Sequence, residues 1–203
     1  LSTYKKLIAK QFSEDFRSAI ALQQLPIPNP APNEILIRNH FAGINAGFDT
    51  LICRGETPYL NLKPPFDLGV EAVGEIVAVG SDVKDFKTGD AVATTLRGGG
   101  YREYQAIASH LAVKVRQATP EVLTLMPTGI SALVALEQAG EMNSQEVVLV
   151  TAAAGGTGHI AVQLAKLAGN HVIGTCGSEA KVKLLKELGC DRAINYRTEN
   201  LDR

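Results

Sequence analysis

One run of this chain restricts its fold more than any other. Val147-Val148-Leu149-Val150 is continuously apolar, and Ala152-Ala153-Ala154-Gly155-Gly156-Thr157-Gly158 follows it. Ile160, Leu164 and Leu167 come next at i, i+4 and i+7, with Gly169 as the expected C′ residue. An unbroken apolar strand is expected to be buried on both faces, as in parallel sheets. The pattern then repeats. His171–Thr175 reads as a second buried strand. A helix is expected from an N-cap at Ser178 through Val182, Leu185 and Leu188 to Gly189. Arg192–Asn195 reads as a third strand. Strand–helix–strand–helix–strand is one mononucleotide-binding half of a Rossmann sheet. A dinucleotide fold has two such halves, and the sequence ends at Arg203, so the chain reads as C-terminally shortened.

The small residues of the turn have a chemical reason. Backbone N–H groups must approach a pyrophosphate closely, and a helix N-terminus supplies partial positive charge. Set against G-x-G-x-x-G, Ala153, Gly155 and Gly158 take the three glycine places. A side chain at 155 would hold the phosphate away, and one at 158 would push helix from strand. The strand and helix around the turn favour cofactor binding over a plain glycine-rich turn. Thr175-Cys176-Gly177-Ser178-Glu179-Ala180-Lys181 then selects the cofactor. The strand tip carries no acid of the kind that binds a 2′-hydroxyl and repels a 2′-phosphate. Ser178 offers a hydroxyl and a helix N-terminus, and Lys181 a positive charge one turn on. NADPH is therefore expected over NADH; Glu179 is a complication, though on a helix it can point away. A solvated first turn would explain Lys181 about as well on its own. Tyr196 is equally a phosphate partner or a surface tyrosine.

Before residue 120 the pattern is different. Short β-type runs alternate with turns: Ser18–Gln23, Glu34–Phe41 with Ile35 and Ile37 on one face, and Val70–Val79 with a bulge at Gly74. Ala91–Leu96, Arg102–Ala108 and Leu111–Val115 complete an all-β half suited to a barrel. Pro26 to Asn33 forms a stiff turn that cannot join a sheet interior. Thr128–Ala139 is a helix with Ile130, Leu133, Val134 and Leu136 broadly on one face. Two domains follow, residues 1–120 and 121–203. The net charge of −1 gives no nucleic-acid footprint. No apolar run approaches the ~18 residues of a membrane span, so no membrane is expected. Cys53, Cys176 and Cys190 are too scattered for a disulfide scaffold. This predicts the cytoplasm or another reducing intracellular compartment. His40, His110, His159 and His171 show no ligand spacing and there is no CxxC, so no metal is expected.

Residues 150–158, 171–176 and 189–196 resemble the medium-chain dehydrogenase/reductase superfamily in its zinc-independent quinone oxidoreductase branch. Within that branch the likeness runs nearest to the prostaglandin reductase 3 (15-oxoprostaglandin 13-reductase-like) group. The resemblance implies an α/β chain: a GroES-like β-barrel domain followed by an incomplete Rossmann dinucleotide-binding domain. It implies that Gly155, Gly156, Thr157 and Gly158 cradle the pyrophosphate. Lys181 and Tyr196 would bind the 2′-phosphate, with Gly177 or Ser178 beside them. Asn45 stands where zinc alcohol dehydrogenases carry a Cys ligand and is expected beside the nicotinamide amide. Val70 replaces a metal-binding His, so a catalytic zinc would lack two ligands. The branch reads G-x-N-x-x-D, whereas Gly43-Ile44-Asn45-Ala46-Gly47-Phe48-Asp49 is one residue longer. Tyr59 matches a tyrosine lining the substrate cleft, and an exposed loop aromatic describes it equally well. Glu71, Tyr101 and Tyr104 read as structural. The full-length form is expected to be a homodimer.

The reaction these readings predict is hydride transfer from NADPH, without zinc, to a small molecule. That substrate is a quinone or the carbon–carbon double bond of an α,β-unsaturated ketone, a 15-oxoprostaglandin-like enone among them. Such carbons are already electrophilic, so the protein mainly positions them. The rival reading is a nucleotide-binding, non-enzymatic protein or inactive fragment.

Overall fold

Tyr4, Ile8 and Ala9 turn inward from strand β1 (Thr3–Ala9), which the two lysines between them hide from a simple alternation. The computed structural model describes residues 2–200 and divides into two units, one ending at Met126 and the other beginning at Pro127. After β1, the Asp15 carboxylate accepts the N–H groups of Arg17 and Ser18 and starts the short helix α1 (Phe16–Ala19). That cap moves the expected 18–23 strand: β2 runs Ile20–Pro26 instead. Pro26 is tolerated because β2 is an edge strand.

β3 (Glu34–Ala42), helix α2 (Ala46–Arg54), β4 (Phe66–Asp67), β5 (Glu71–Val79), β6 (Ala91–Thr95), β7 (Tyr104–Ala108) and β8 (Ala112–Lys114) follow. They form two antiparallel sheets, β2-β1-β4 and β7-β3-β5-β6-β8, linked by a bridge between Lys6 and Arg102. Ile35, Ile37, Ile76, Val92 and Ile107 fill the centre of the larger sheet, consistent with the inward positions expected for β3. Each such side chain contributes about 1.5–3 kcal/mol of burial. The irregularity near Gly74 is real, but the extra residue is His40 on the facing strand: Asn39 pairs with Gly74 and Phe41 with Val73.

Helix α3 (Pro120–Thr124) is capped by Thr119 and packs on this unit through Leu123 and Met126, which join Val73 and Ala93. Helix α4 (Ile130–Val134) lies between two wider π-type turns. The expectation for this segment is corrected in two ways. Ile130, Leu133 and Val134 are exposed and Ala132 is the buried residue, because the face of α4 packed on the second unit's core is the one that carries Ala132. Also, Pro120–Ala139 is long and apolar enough, by length and composition, to cross a membrane, although Met126 breaks its helical geometry with ψ −123°.

The second unit contains β9 (Val147–Val150), α5 (Gly156–Leu167), β10 (His171–Cys176), α6 (Glu179–Glu187) and β11 (Arg192–Asn195). The strands are parallel in the order β11-β10-β9. Val150, Val162, Ala165, Val172, Cys176 and Leu185 form its core. The expectation that β9 is buried on both faces fails. It is an edge strand, and Val147 and Leu149 are 68% and 61% exposed while Val150 packs inward.

Candidate functional site

The glycine turn sits where β9 ends and α5 begins. Ala152 adopts a left-handed conformation (φ 47°), and Ala153 is fully buried, its N–H donating to the Thr175 carbonyl at 2.9 Å. Gly155 is the N-cap of α5, so the N–H groups of Gly156, Thr157 and Gly158 have no acceptor within the helix. Gly155, Gly156 and Thr157 are exposed there. The glycine at 158 has a steric cause. A Cβ on it would stand 2.5 Å from the Ala152 carbonyl oxygen and 2.8 Å from the Ala153 Cα. A cleft of about 460 Å³ opens beside Gly155, Gly156, Thr157 and Gly158. His159 folds back so that its Nδ1 lies 2.9 Å from the Gly155 carbonyl oxygen.

The end of β10 supplies the neighbouring groups. The Tyr196 N–H donates to the Cys176 carbonyl at 3.1 Å, which extends β11 alongside β10. This sets the Tyr196 hydroxyl 2.6 Å from where a Gly177 Cβ would be, and Arg197 Nε 3.5 Å from the same point. Ser178 caps α6, its Oγ accepting the Lys181 N–H at 3.4 Å, and the Lys181 side chain is exposed. Glu179 turns toward Asn195, whose Nδ2 donates to it at 2.6 Å. The fold thus brings Gly177, Ser178 and Tyr196 together, with Lys181 one turn along α6. Arg197 is an addition that sequence reading missed. Its only signal was adjacency to Tyr196.

A 2′-phosphorylated dinucleotide fits these residues on two counts. The N–H groups of Gly156, Thr157 and Gly158 have no acceptor within α5 and lie beside the cleft of about 460 Å³. Arg197, Lys181, the Tyr196 hydroxyl and the Ser178 N-cap provide donors and positive charge.

The first unit holds a second arrangement. A cavity of about 590 Å³ is lined by Leu7, Phe16, Ile44, Asp49, Thr50 and Tyr101, among others. The Tyr101 hydroxyl donates to Asp49 Oδ2 at 2.5 Å, and the Asn45 backbone N–H donates to the same oxygen at 3.1 Å. Asn45 is the N-cap residue of α2, and Asp49 lies four residues on, with its carboxyl turned back toward the Asn45 N–H. Asp49 is 3% exposed, and its Oδ1 has no hydrogen-bond partner. Burial raises its pKa above the usual carboxylate range, partly opposed by the Tyr101 and Asn45 hydrogen bonds. Burial and the Asp49 carboxyl likewise raise the Tyr101 hydroxyl. The Cys53 thiol is pushed up to about 11 by burial and by Asp49, so it is not a reactive thiolate.

Neither sequence-predicted catalytic residue lines this cavity, and only the Asn45 backbone N–H, donating to Asp49, reaches it. Asn45 donates its Nδ2 to Glu71 Oε1 at 2.8 Å. Tyr59 lies on a 3₁₀ turn, Pro58–Leu60, and is 77% exposed. Tyr101, read as barrel packing, instead meets Asp49, whereas Tyr104 does pack, edge-on to Tyr4 at 6.2 Å. Nothing local signals the Asp49–Tyr101 pair, which is 52 residues apart. Among the described residues no group of three or more His, Cys, Asp or Glu side chains is arranged to hold a metal ion.

A small barrel ahead of a parallel sheet with a glycine-lined helix N-terminus defines the class of GroES-like and Rossmann two-domain proteins. Comparison with known proteins agrees. Residues 31–117 match the family described as alcohol dehydrogenase GroES-like domain, and residues 156–203 the family described as zinc-binding dehydrogenase. The chain is 44% identical over 202 residues to prostaglandin reductase-3 of Mus musculus, covering 98% of this chain and 53% of that protein. It is 37% identical over 207 residues to the chloroplast envelope quinone oxidoreductase homolog of Arabidopsis thaliana, covering 96% of this chain and 62% of that one. The solved structure of Escherichia coli quinone oxidoreductase complexed with NADPH superposes with a TM-score of 0.80 at 30% identity, covering 97% of this chain and 60% of that one. The two matched families together place the chain in the medium-chain dehydrogenase/reductase family. It spans between half and two thirds of the length of these relatives.

Proposed function

We propose that the protein, in a form spanning the full length of its relatives, is an NADPH-dependent reductase. Its substrate is a quinone or the carbon–carbon double bond of an α,β-unsaturated ketone, and it works without zinc. The observation that carries this reading is the joint at the end of β10. The Tyr196 hydroxyl and Arg197 crowd Gly177 beside the Ser178 cap, and no acid stands free at the strand tip because Glu179 is held by Asn195. A 2′-phosphate is the group such a cluster of donors suits. The relative solved with NADPH adds support for the cofactor, and the relatives' names add support for the substrate class.

In this reading Gly155, Gly156, Thr157 and Gly158 hold the pyrophosphate through backbone N–H groups, and Lys181, Tyr196, Ser178 and Arg197 hold the 2′-phosphate. Bound NADPH supplies a hydride. Asn45, oriented by Glu71, and Tyr59 are proposed to face the nicotinamide and substrate. The absence of zinc is supported by Asn45 and Val70 at the ligand positions, and by Asn45 being held by Glu71. Residues 1–120 and 121–203 are proposed as the catalytic and cofactor domains, and the family resemblance supports a homodimer. Three buried free cysteines suit a reducing intracellular compartment.

Binding of NADPH and NADH to the 203-residue chain tests the cofactor, with at least a tenfold preference for NADPH expected. Equal affinities would remove that reading. NADPH consumption by the longer form with a panel of enones and quinones tests the reaction, and no turnover with any of them would refute it.

A further inference from the structure

Asn195 closes β11 in register with Cys176 at the end of β10, beside the joint at Gly177. It is 3% exposed. Its Nδ2 donates to Glu179 Oε1 at 2.6 Å, and its backbone N–H donates to Glu199 Oε1 at 3.0 Å. Its Oδ1 accepts the Arg197 N–H at 3.2 Å, and its carbonyl oxygen accepts the Glu199 N–H at 2.8 Å. Two carboxylates are thus drawn onto Asn195, while the Tyr196 hydroxyl and Arg197 Nε crowd Gly177.

A carboxamide is the group this position needs. A backbone N–H can only donate, so Arg197 fixes which end of the amide is oxygen and leaves Nδ2 for Glu179. An ionised aspartate would have no proton to give Glu179, and an apolar side chain would hold neither partner. Glu179 itself is exposed in the first turn of α6, two residues past Gly177. Untied, its carboxylate would be free to turn toward the strand tip, where an acid binds a ribose 2′-hydroxyl and repels a 2′-phosphate.

We propose that Asn195 is a positioning residue that sets cofactor choice: by holding Glu179 aside and orienting the Arg197 backbone, it keeps the end of β10 open to a 2′-phosphate. The inference rests on the NADPH reading above and names the buried side chain on which that preference depends.

The test is a binding titration of the 203-residue chain with adenosine 2′,5′-bisphosphate and adenosine 5′-monophosphate, which differ only in the 2′-phosphate. Wild type is expected to bind the bisphosphate about tenfold more tightly. Asn195→Ala should cut that ratio about fivefold by weakening the bisphosphate, and keep the monophosphate within about twofold of wild type. Adding Glu179→Gln removes the freed charge and should bring the ratio back to within about threefold of wild type. Glu179→Asp, one methylene shorter, frees an acid while Asn195 stays in place. It should lower the ratio in the same direction, and it decides alone if Asn195→Ala does not fold. The proposal fails if Asn195→Ala weakens both ligands equally, as a purely structural residue would. It also fails if the ratio survives Asn195→Ala or Glu179→Asp, or if Glu179→Gln restores nothing. A wild-type chain that does not distinguish the two ligands sinks the NADPH reading and this inference together. A wild-type preference that survives both variants sinks this inference alone.

Discussion

The two sites of this chain are built in opposite ways. The cradle of the second unit draws on residues 152–158, 177–181 and 196–197, each a short run at the end of a strand. The cavity of the first unit joins Leu7, Ile44, Asp49 and Tyr101, which meet only after the sheets pair. The cradle presents backbone N–H groups and side chains at the surface. The cavity offers an apolar wall and a buried carboxyl. A site made of local turns is written into consecutive residues, whereas one made by sheet closure is not.

The largest expected effect breaks the cradle. Gly158→Val would force a Cβ into the space between Ala152 and Ala153. We expect a loss of about 2–3 kcal/mol in urea denaturation and no measurable NADPH binding. Near-wild-type stability would mean that the turn yields.

Lys181→Ala should weaken NADPH binding about tenfold, because a charge-assisted hydrogen bond contributes about 1.5–3 kcal/mol, and leave NADH unchanged. Equal losses for both cofactors would separate Lys181 from the 2′-phosphate.

Two aspartates sharpen the contrast through the sign of their pH dependence. In the second unit, Asp191 accepts from Lys166 Nζ at 2.8 Å and from the Val172 N–H at 2.6 Å, and these bonds lower its pKa. A depressed carboxylate contributes stability above its unfolded value, about 3.9, and loses it as pH falls through the folded value. Asp191→Asn should therefore destabilise at neutral pH and match wild type in strong acid. Asp49 has the opposite sign. Its folded pKa is raised, so its contribution is complete below the unfolded value and is lost as pH rises through the folded one. The stability of Asp49→Asn relative to wild type should rise with pH over that window. Parallel slopes for the two variants in pH-resolved urea titrations would contradict these environments.

The smallest effect is at a cap. Ser178→Ala removes the Oγ that accepts the Lys181 N–H and should cost about 1 kcal/mol, seen as a small fall in Tm.

What could be read from the sequence follows the same division. The strand–turn–helix order of residues 147–195, the Ser178 cap and the glycine at 158 all rest on nearest-neighbour physics, and the structure contains them. The misplaced start of β2 came from a local cap at Asp15 that outweighed the β-type run. The exposed faces of β9 and α4 came from tertiary context. Val147 and Leu149 look like core residues in sequence, but an apolar side chain is buried only if another element covers it.

Residues 152–158 and 175–181 by themselves determined a glycine-lined helix N-terminus and the Ser178 cap of the next helix. Steric and capping rules act within a few residues, so the order of amino acids suffices. Tertiary structure alone decided that Tyr196 and Arg197 close on Gly177, that Asn45 serves Glu71, and that Asp49 is buried against Tyr101 with one oxygen unpaired. A carboxyl's protonation depends on the water and partners around it, and for Asp49 one of those partners is Tyr101, 52 residues away.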